Sequence, residues 1–189
     1  MAGKCIIFSA PSGSGKTTIV NHLVKIEDLK LQFSVSACSR KIREGEVHGK
    51  DYFFLSIDEF RTYIDEDKFI EWEEVYKNHY YGTLKTEVDR IFNNNHNIIF
   101  DVDVMGGMNL KRKFGKEALS VFVMPPSIEV LQQRLEKRGS DPADKIAGRI
   151  AKAKFEMKYA EKFDKVLIND DLDKALKEAE EMIREFLKS

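Results

Sequence analysis

The chain has 189 residues and a mass of 21.8 kDa, which suits one domain, or one core with small insertions, and is enough to bury a proper hydrophobic interior. Lys and Arg total 31 against 32 Asp and Glu, so a general basic face for nucleic acid is excluded; a hydrophobic content of 42% excludes a charge-rich disordered chain. No apolar run approaches the roughly 18 residues of a membrane span, and Met1–Lys4 lead into a strand-like run without a signal-peptide core. Cys5 and Cys38 are far apart, form no C-x-x-C and read as reduced buried thiols of a cytoplasmic protein, while His22, His48, His79 and His96 show no metal-ligand spacing.

Lys4 to Ser9 is short, apolar and rich in β-branched and aromatic residues, and it predicts a buried strand. Ala10 to Gly15 is a glycine- and serine-rich turn. Thr17 to Lys25 then carries Ile19, Val20, Leu23 and Val24 at helical spacing. Ser34-Val35-Ser36 reads as a short polar strand. Residues 36–82 break the pattern with Gly45, Gly49, Gly82 and many aromatics. They hold one helix, opened by the capping box Ser56-Ile57-Asp58-Glu59, and predict an inserted subdomain rather than a longer edge of the same sheet. Further on, Asn97 to Val104, Leu119 to Met124 and Lys165 to Ile168 read as buried parallel strands. Helices are expected over about Leu84–Asn94, Ser127–Arg138, Asp141–Phe163 and Asp171–Leu187, with Pro142 in the first turn of the third and Asp171 capping the last. Strands alternating with helices predict a three-layer α/β domain around a central parallel sheet.

The sharpest motif is Ala10-Pro11-Ser12-Gly13-Ser14-Gly15-Lys16-Thr17, which matches G-x-x-x-x-G-K-[ST] with Ala in first place. Gly13 and Gly15 let backbone N–H groups turn toward phosphate oxygens, and the following helix adds its positive N-terminal end. Lys16 is placed to bridge the β and γ phosphates, and the Thr17 hydroxyl to ligand Mg²⁺. Ala10 departs from the strict pattern without harm, provided its φ is negative. Asp101, closing the apolar run Ile98-Ile99-Phe100, has the form of the acid that holds Mg²⁺ or its waters, and strand alternation would turn Asp103 to the same side. A phosphate loop alone fits a GTPase, a motor, a transporter or a kinase. Two arginines three apart, Arg40 and Arg43, are by themselves compatible with a solvated loop.

Six further stretches narrow the choice. They are S-A-P-S-G-S-G-K-T-T (9–18), F-S-V-S-A-C-S-R-K-I-R-E-G-E-V-H-G-K-D-Y-F-F (33–54), F-I-E-W (69–72), Y-Y-G-T (80–83), I-I-F-D-V-D-V (98–104) and I-N-D-D-L-D-K-A (168–175). On these the chain closely resembles the guanylate kinase family, in order from about Lys4 to the end. The resemblance implies a P-loop kinase fold with a core of 1–35, 83–136 and 151–189. It also implies a GMP-binding subdomain over 36–82 and a mobile lid at about 137–150. The implied reaction is phosphoryl transfer from ATP, with Mg²⁺, to GMP, with dGMP an open second acceptor, and without a nucleic acid, membrane or obligate protein partner.

Position by position, the resemblance implies that Arg40, Arg43, Tyr52 and Tyr81 hold the GMP phosphate. Ser36, Glu71 and Thr83 read guanine, with Asp103 beside them. Residues Ala10, Pro11, Ser12, Gly13, Ser14, Gly15, Lys16, Thr17 and Thr18 hold ATP, with Asn169 near the adenine. Lys16, Arg43, Arg138 and Arg149 surround the transferring group, and Thr17 and Asp101 hold the metal. Several positions depart from the family pattern. Lys41-Ile42 stand where a proline is common, Cys38 and Ser39 where threonines are, and Met105 where a glutamine is usual. The loop from Glu73 to His79 is about one residue longer, which leaves Tyr80 competing with Tyr81. Two other readings stay open at this level: a kinase for another nucleoside monophosphate, and a catalytically inactive guanylate-kinase-like module that binds protein ligands. Intact Gly15-Lys16-Thr17 and the short chain speak against the second.

Overall fold

In a computed structural model of the chain, residues 3–139 and 143–189 are described. β1 (Cys5–Ser9) is buried along its whole length and lies at the centre of a five-stranded parallel sheet. Its neighbours are β7 (Asn97–Val102) and β8 (Ala118–Met124). Beyond them lie β2 (Leu31–Phe33) and β9 (Lys165–Ile168), giving the order β2-β7-β1-β8-β9. Side chains alternate across β1 as a strand requires. Ile6 and Phe8 join the apolar cluster under α1 (Lys16–Leu23) and α7 (Leu172–Lys188), which includes Leu23 and Ile183. Cys5 and Ile7 join the opposite cluster under α3 (Lys85–Asn93) and α4 (Val104–Phe114), with Ile91 and Leu110. Helices on both faces make the three layers expected. Both faces being dry explains why these strands read as continuous apolar runs.

A second sheet stands apart from the first. It has the order β4-β3-β6-β5, formed by β3 (Ala37–Cys38), β4 (Phe53–Phe54), β5 (Phe69–Tyr76) and β6 (His79–Leu84). α2 (Ile57–Asp65) covers it, and its capping box is complete: the Ser56 hydroxyl accepts from Glu59 N and the Glu59 carboxylate from Ser56 N. Phe60 anchors this small interior by stacking on Phe69 at 4.4 Å and on Tyr80 at 5.5 Å between centroids. Outside both sheets, α5 (Ile128–Arg138) and α6 (Ala143–Glu156) pack together through Leu131, Leu135 and Ala153. No helix among the described residues is long and apolar enough to cross a membrane.

Three local expectations need correction. Ser34-Val35-Ser36 is not a strand; the chain pairs one step earlier, at Leu31–Phe33, and again at Ala37–Cys38. The strand expected to reach Val104 ends at Val102, because Asp103 caps a helix by accepting from Gly106 N at 2.8 Å. That helix, α4, carries little helical signal in the sequence, since Gly106 and Gly107 depress it. The long helix expected to run to Phe163 is α-helical only to Glu156 and continues as 3-10 turns over Met157–Lys162. Its expected start at Asp141-Pro142 lies outside the described residues.

Candidate active site

At the carboxyl edge of the parallel sheet, beside the central strand, open parallel sheets place their ligands. Here the chain leaves β1 through Ala10–Gly15 and enters α1. Gly13 (φ 94°) and Gly15 (φ 88°) both take the left-handed backbone conformation, as expected from the motif, and Ala10 does not. At Gly15 there is a second constraint. A Cβ there would lie 2.2 Å from the Asn169 amide nitrogen, which donates to Ser14 O at 2.7 Å. Asn169 is only 4% exposed, braces the loop through Ser14 O and is not among the cavity-lining residues.

The Lys16 ammonium forms an ion pair with Asp101 and donates to Val102 O at 3.3 Å. Burial pushes it down to about 8, against the upward pull of Asp103 and Glu156. The Thr17 hydroxyl donates to the other Asp101 oxygen at 3.0 Å. Thr17 and Asp101 are hard oxygen donors side by side at the mouth of the loop, a set that suits Mg²⁺. Among the described residues no group of three or more His, Cys, Asp or Glu could hold a metal by itself.

One cavity of about 670 Å³ joins this loop to the second sheet. Its walls include residues 10–18, Ser36, Tyr52, Glu71, Tyr81, Asp101, Asp103 and Arg149. The register of the β5–β6 ribbon explains how the second sheet contributes. Glu71 lies opposite Thr83 and Glu73 opposite Tyr81, so their side chains share one face. Tyr80 turns to the other face and joins the Phe60 cluster, leaving Tyr81 at the cavity. Glu71 is 9% exposed and accepts from the Thr83 hydroxyl at 2.8 Å. Burial lifts its carboxyl to about 7; the Thr83 bond opposes this, and Asp103 and Glu73 add to it.

Arg40 lies over the Tyr52 ring at 4.9 Å, and Tyr52 meets Tyr81 edge-on at 6.0 Å. Its guanidinium is held in a fork by Glu46, at 2.6 and 2.5 Å, and the same carboxylate accepts from Arg43 N at 2.8 Å. Glu46 holds Arg40 above its ordinary range, and Arg40 in turn pulls Glu46 down to about 2. Arg43 is exposed, and neither arginine is among the cavity-lining residues. On the other side, Arg149 donates to the Ser12 hydroxyl at 2.7 Å. The side chain of Arg138 lies outside the described residues.

Sequence reasoning missed Glu46, Glu73, Arg134, Lys152 and Glu156. Arg134 reaches Asn169 O at 2.9 Å from α5 and lines the cavity. Arg149, Lys152 and Glu156 lie three and four residues apart on one face of α6, a spacing that could have flagged them together. Glu46, on a loop, had no periodicity to reveal it.

Comparison with known proteins agrees with this geometry. The family model described as guanylate kinase matches residues 2–186. The guanylate kinase of Bacteroides thetaiotaomicron is 54% identical over 187 residues, covering 99% of this chain and 91% of the relative. That of Bacteroides fragilis is 53% identical over 184 residues, covering 97% and 90%. The crystal structure of guanylate kinase from Anaplasma phagocytophilum superposes with a TM-score of 0.80 at 26% identity, covering all of this chain and 88% of that one.

Proposed function

The chain belongs to the guanylate kinase family, and we propose that its large cavity is where ATP passes a phosphoryl group to GMP. The reaction yields ADP and GDP. The observation that carries the site assignment is that one cavity is walled by both the phosphate loop and the Glu71/Tyr81 face of the second sheet, with Thr83 buried behind Glu71.

Guanine presents N1–H and its 2-amino group as adjacent donors, and one ionised carboxylate, Glu71, can accept both. Adenine lacks them on that edge. AMP would leave the buried Glu71 carboxylate with only its Thr83 bond, which gives discrimination on the order of 10⁴ in favourable cases. Ser36 and Thr83 supply hydroxyls to the base, and Asp103 stands beside it. Arg40 and Arg43, with the Tyr52 and Tyr81 hydroxyls, seat the 5′ phosphate. Glu46 holds one edge of the Arg40 guanidinium and the Arg43 backbone, so Arg40 meets the anion with its geometry already set. Because no group in this scheme requires the ribose 2′-hydroxyl, dGMP is expected as a second acceptor.

Residues 10–18 cradle the triphosphate of ATP. Lys16 would exchange Asp101 for phosphate oxygens, and Thr17 and Asp101 would hold Mg²⁺. When bound, the metal neutralises charge on the phosphates. Arg43, Arg138 and Arg149 add positive charge around the transferring group. The acceptor is already an ionised phosphate, so the chain needs no general base and no covalent intermediate, and catalysis comes from alignment and charge. Residues 36–82 are proposed as the GMP-binding subdomain and about 137–150, of which 140–142 lie outside the described residues, as a lid. Both move toward the core, residues 1–35, 83–136 and 151–189, to keep water from the phosphoryl group. X-ray scattering with both nucleotides should show compaction; an unchanged profile would remove closure from the scheme. The thiols of Cys5 and Cys38 are buried, and burial pushes Cys5 up to about 12, which suits a reducing compartment such as the cytoplasm.

The experiment is ADP release with GMP, AMP, UMP and dTMP as acceptors, with and without Mg²⁺. ADP release should depend on GMP and on the metal. Equal rates with AMP would overturn the Glu71 assignment.

A further inference from the structure

Gly106 sits in the first turn of α4, at the cavity wall opposite Glu71. A Cβ added to it would lie 3.2 Å from Glu71 Oε2 and 3.2 Å from Asp103 Oδ1. The other Glu71 oxygen, Oε1, already accepts from Thr83. We propose that Gly106 is a specificity-determining residue: its missing side chain leaves Glu71 Oε2 open to the 2-amino group of the purine. The inference rests on the reading of Glu71 as the guanine acceptor and goes beyond it by naming what keeps that acceptor accessible.

The argument is one of space. An amino nitrogen donating to Oε2 must come within about 2.9 Å of it. A methyl carbon 3.2 Å from the same oxygen fills the approach from the α4 side, and the donor would have to tilt or withdraw. Helix propensity points the other way. Gly106 lies inside a helix, with no left-handed backbone requirement, where glycine costs about 1 kcal/mol relative to alanine. A residue unfavourable for its local structure is expected where function needs it. The adjacent glycine has a different reason. A Cβ on Gly107 would lie 2.3 Å from the Ser9 hydroxyl oxygen, so Gly107 lets α4 pack on β1, whereas Gly106 faces the cavity.

The test is Gly106→Ala, assayed with GMP and with inosine monophosphate, which differs only in lacking the 2-amino group. Losing one well-placed hydrogen bond should lower kcat/KM for GMP at least about tenfold while that for inosine monophosphate changes less than about threefold. The KM for ATP should hold, and the melting temperature should hold or rise. An unchanged ratio of the two acceptors would overturn the proposal. So would a parallel loss for both acceptors together with altered ATP KM or melting, because the methyl would then be acting on the fold. The parent enzyme separates this from the reading beneath it. If the parent shows no preference for GMP over inosine monophosphate, or Glu71→Gln keeps that preference, the Glu71 assignment falls and Gly106 with it. If the parent prefers GMP, Glu71→Gln abolishes that preference and Gly106→Ala retains it, only the Gly106 inference falls.

Discussion

Replacing Glu71 by Gln should make the protein more stable and less selective at once. The carboxyl titrates near 4.5 in the unfolded chain and near 7 in the fold, because burial disfavours its charge. An acid with a raised folded value holds its proton more tightly in the native state, so native stability falls as pH rises from about 4.5 and the loss is complete above about 7. That interval corresponds to about 3 kcal/mol as a ceiling. Gln carries no charge and can still accept from the Thr83 hydroxyl. The variant should therefore melt close to the parent at pH 5 and above it at pH 8.5, by at most about 6–12 °C for a domain of this size. The same substitution removes the anionic acceptor for guanine, so kcat/KM for GMP should collapse while the KM for ATP holds. In the parent, kcat/KM for GMP should fall toward tenfold per pH unit below 7. A stability difference independent of pH, or a variant that melts below the parent at pH 8.5, would refute the reasoning.

Arg40→Lys keeps the charge but loses the planar fork; KM for GMP should rise about tenfold or more with KM for ATP unchanged, as initial-rate kinetics would show. Lys16→Met should still bind GMP by calorimetry yet lose turnover by several orders of magnitude; retained turnover would remove Lys16 from the chemistry. Because burial lowers the Lys16 ammonium to about 8, the parent's kcat/KM for ATP should decline above that pH as the charge is lost. Asn169→Ala leaves Ser14 O without its donor beneath the phosphate loop and should cost about 1–3 kcal/mol in chemical denaturation. Its KM for ATP should rise more than its KM for GMP, and the opposite order would contradict the bracing role.

The phosphate loop could be read directly because its chemistry is contiguous: Gly13, Gly15, Lys16 and Thr17 act through one backbone turn, and the flanking apolar periodicities set that turn between strand and helix. The other half of the cavity could not be derived this way. Nothing in the spacing of Glu71 and Thr83 shows that they face each other. Their pairing is a cross-strand register, and β5–β6 carries irregularities between Phe69 and Glu71 and between Glu74 and Tyr76 that local pattern cannot set. Resemblance supplied these residues where pattern could not. The unread α4 has a similar origin. Gly106 and Gly107 weaken its propensity in order to meet Glu71 and Ser9, so the segment is least helix-like where it approaches the site. Glu46 escaped notice because a loop carboxylate gains meaning only once Arg40 is seen folded onto it.

The most direct test of the account is a crystal structure with GMP bound. The base should lie against Glu71 and Thr83 with its 5′ phosphate between Arg40 and Arg43, directed at Lys16. Electron density for the nucleotide at any other place, or with base and phosphate exchanged, would contradict it.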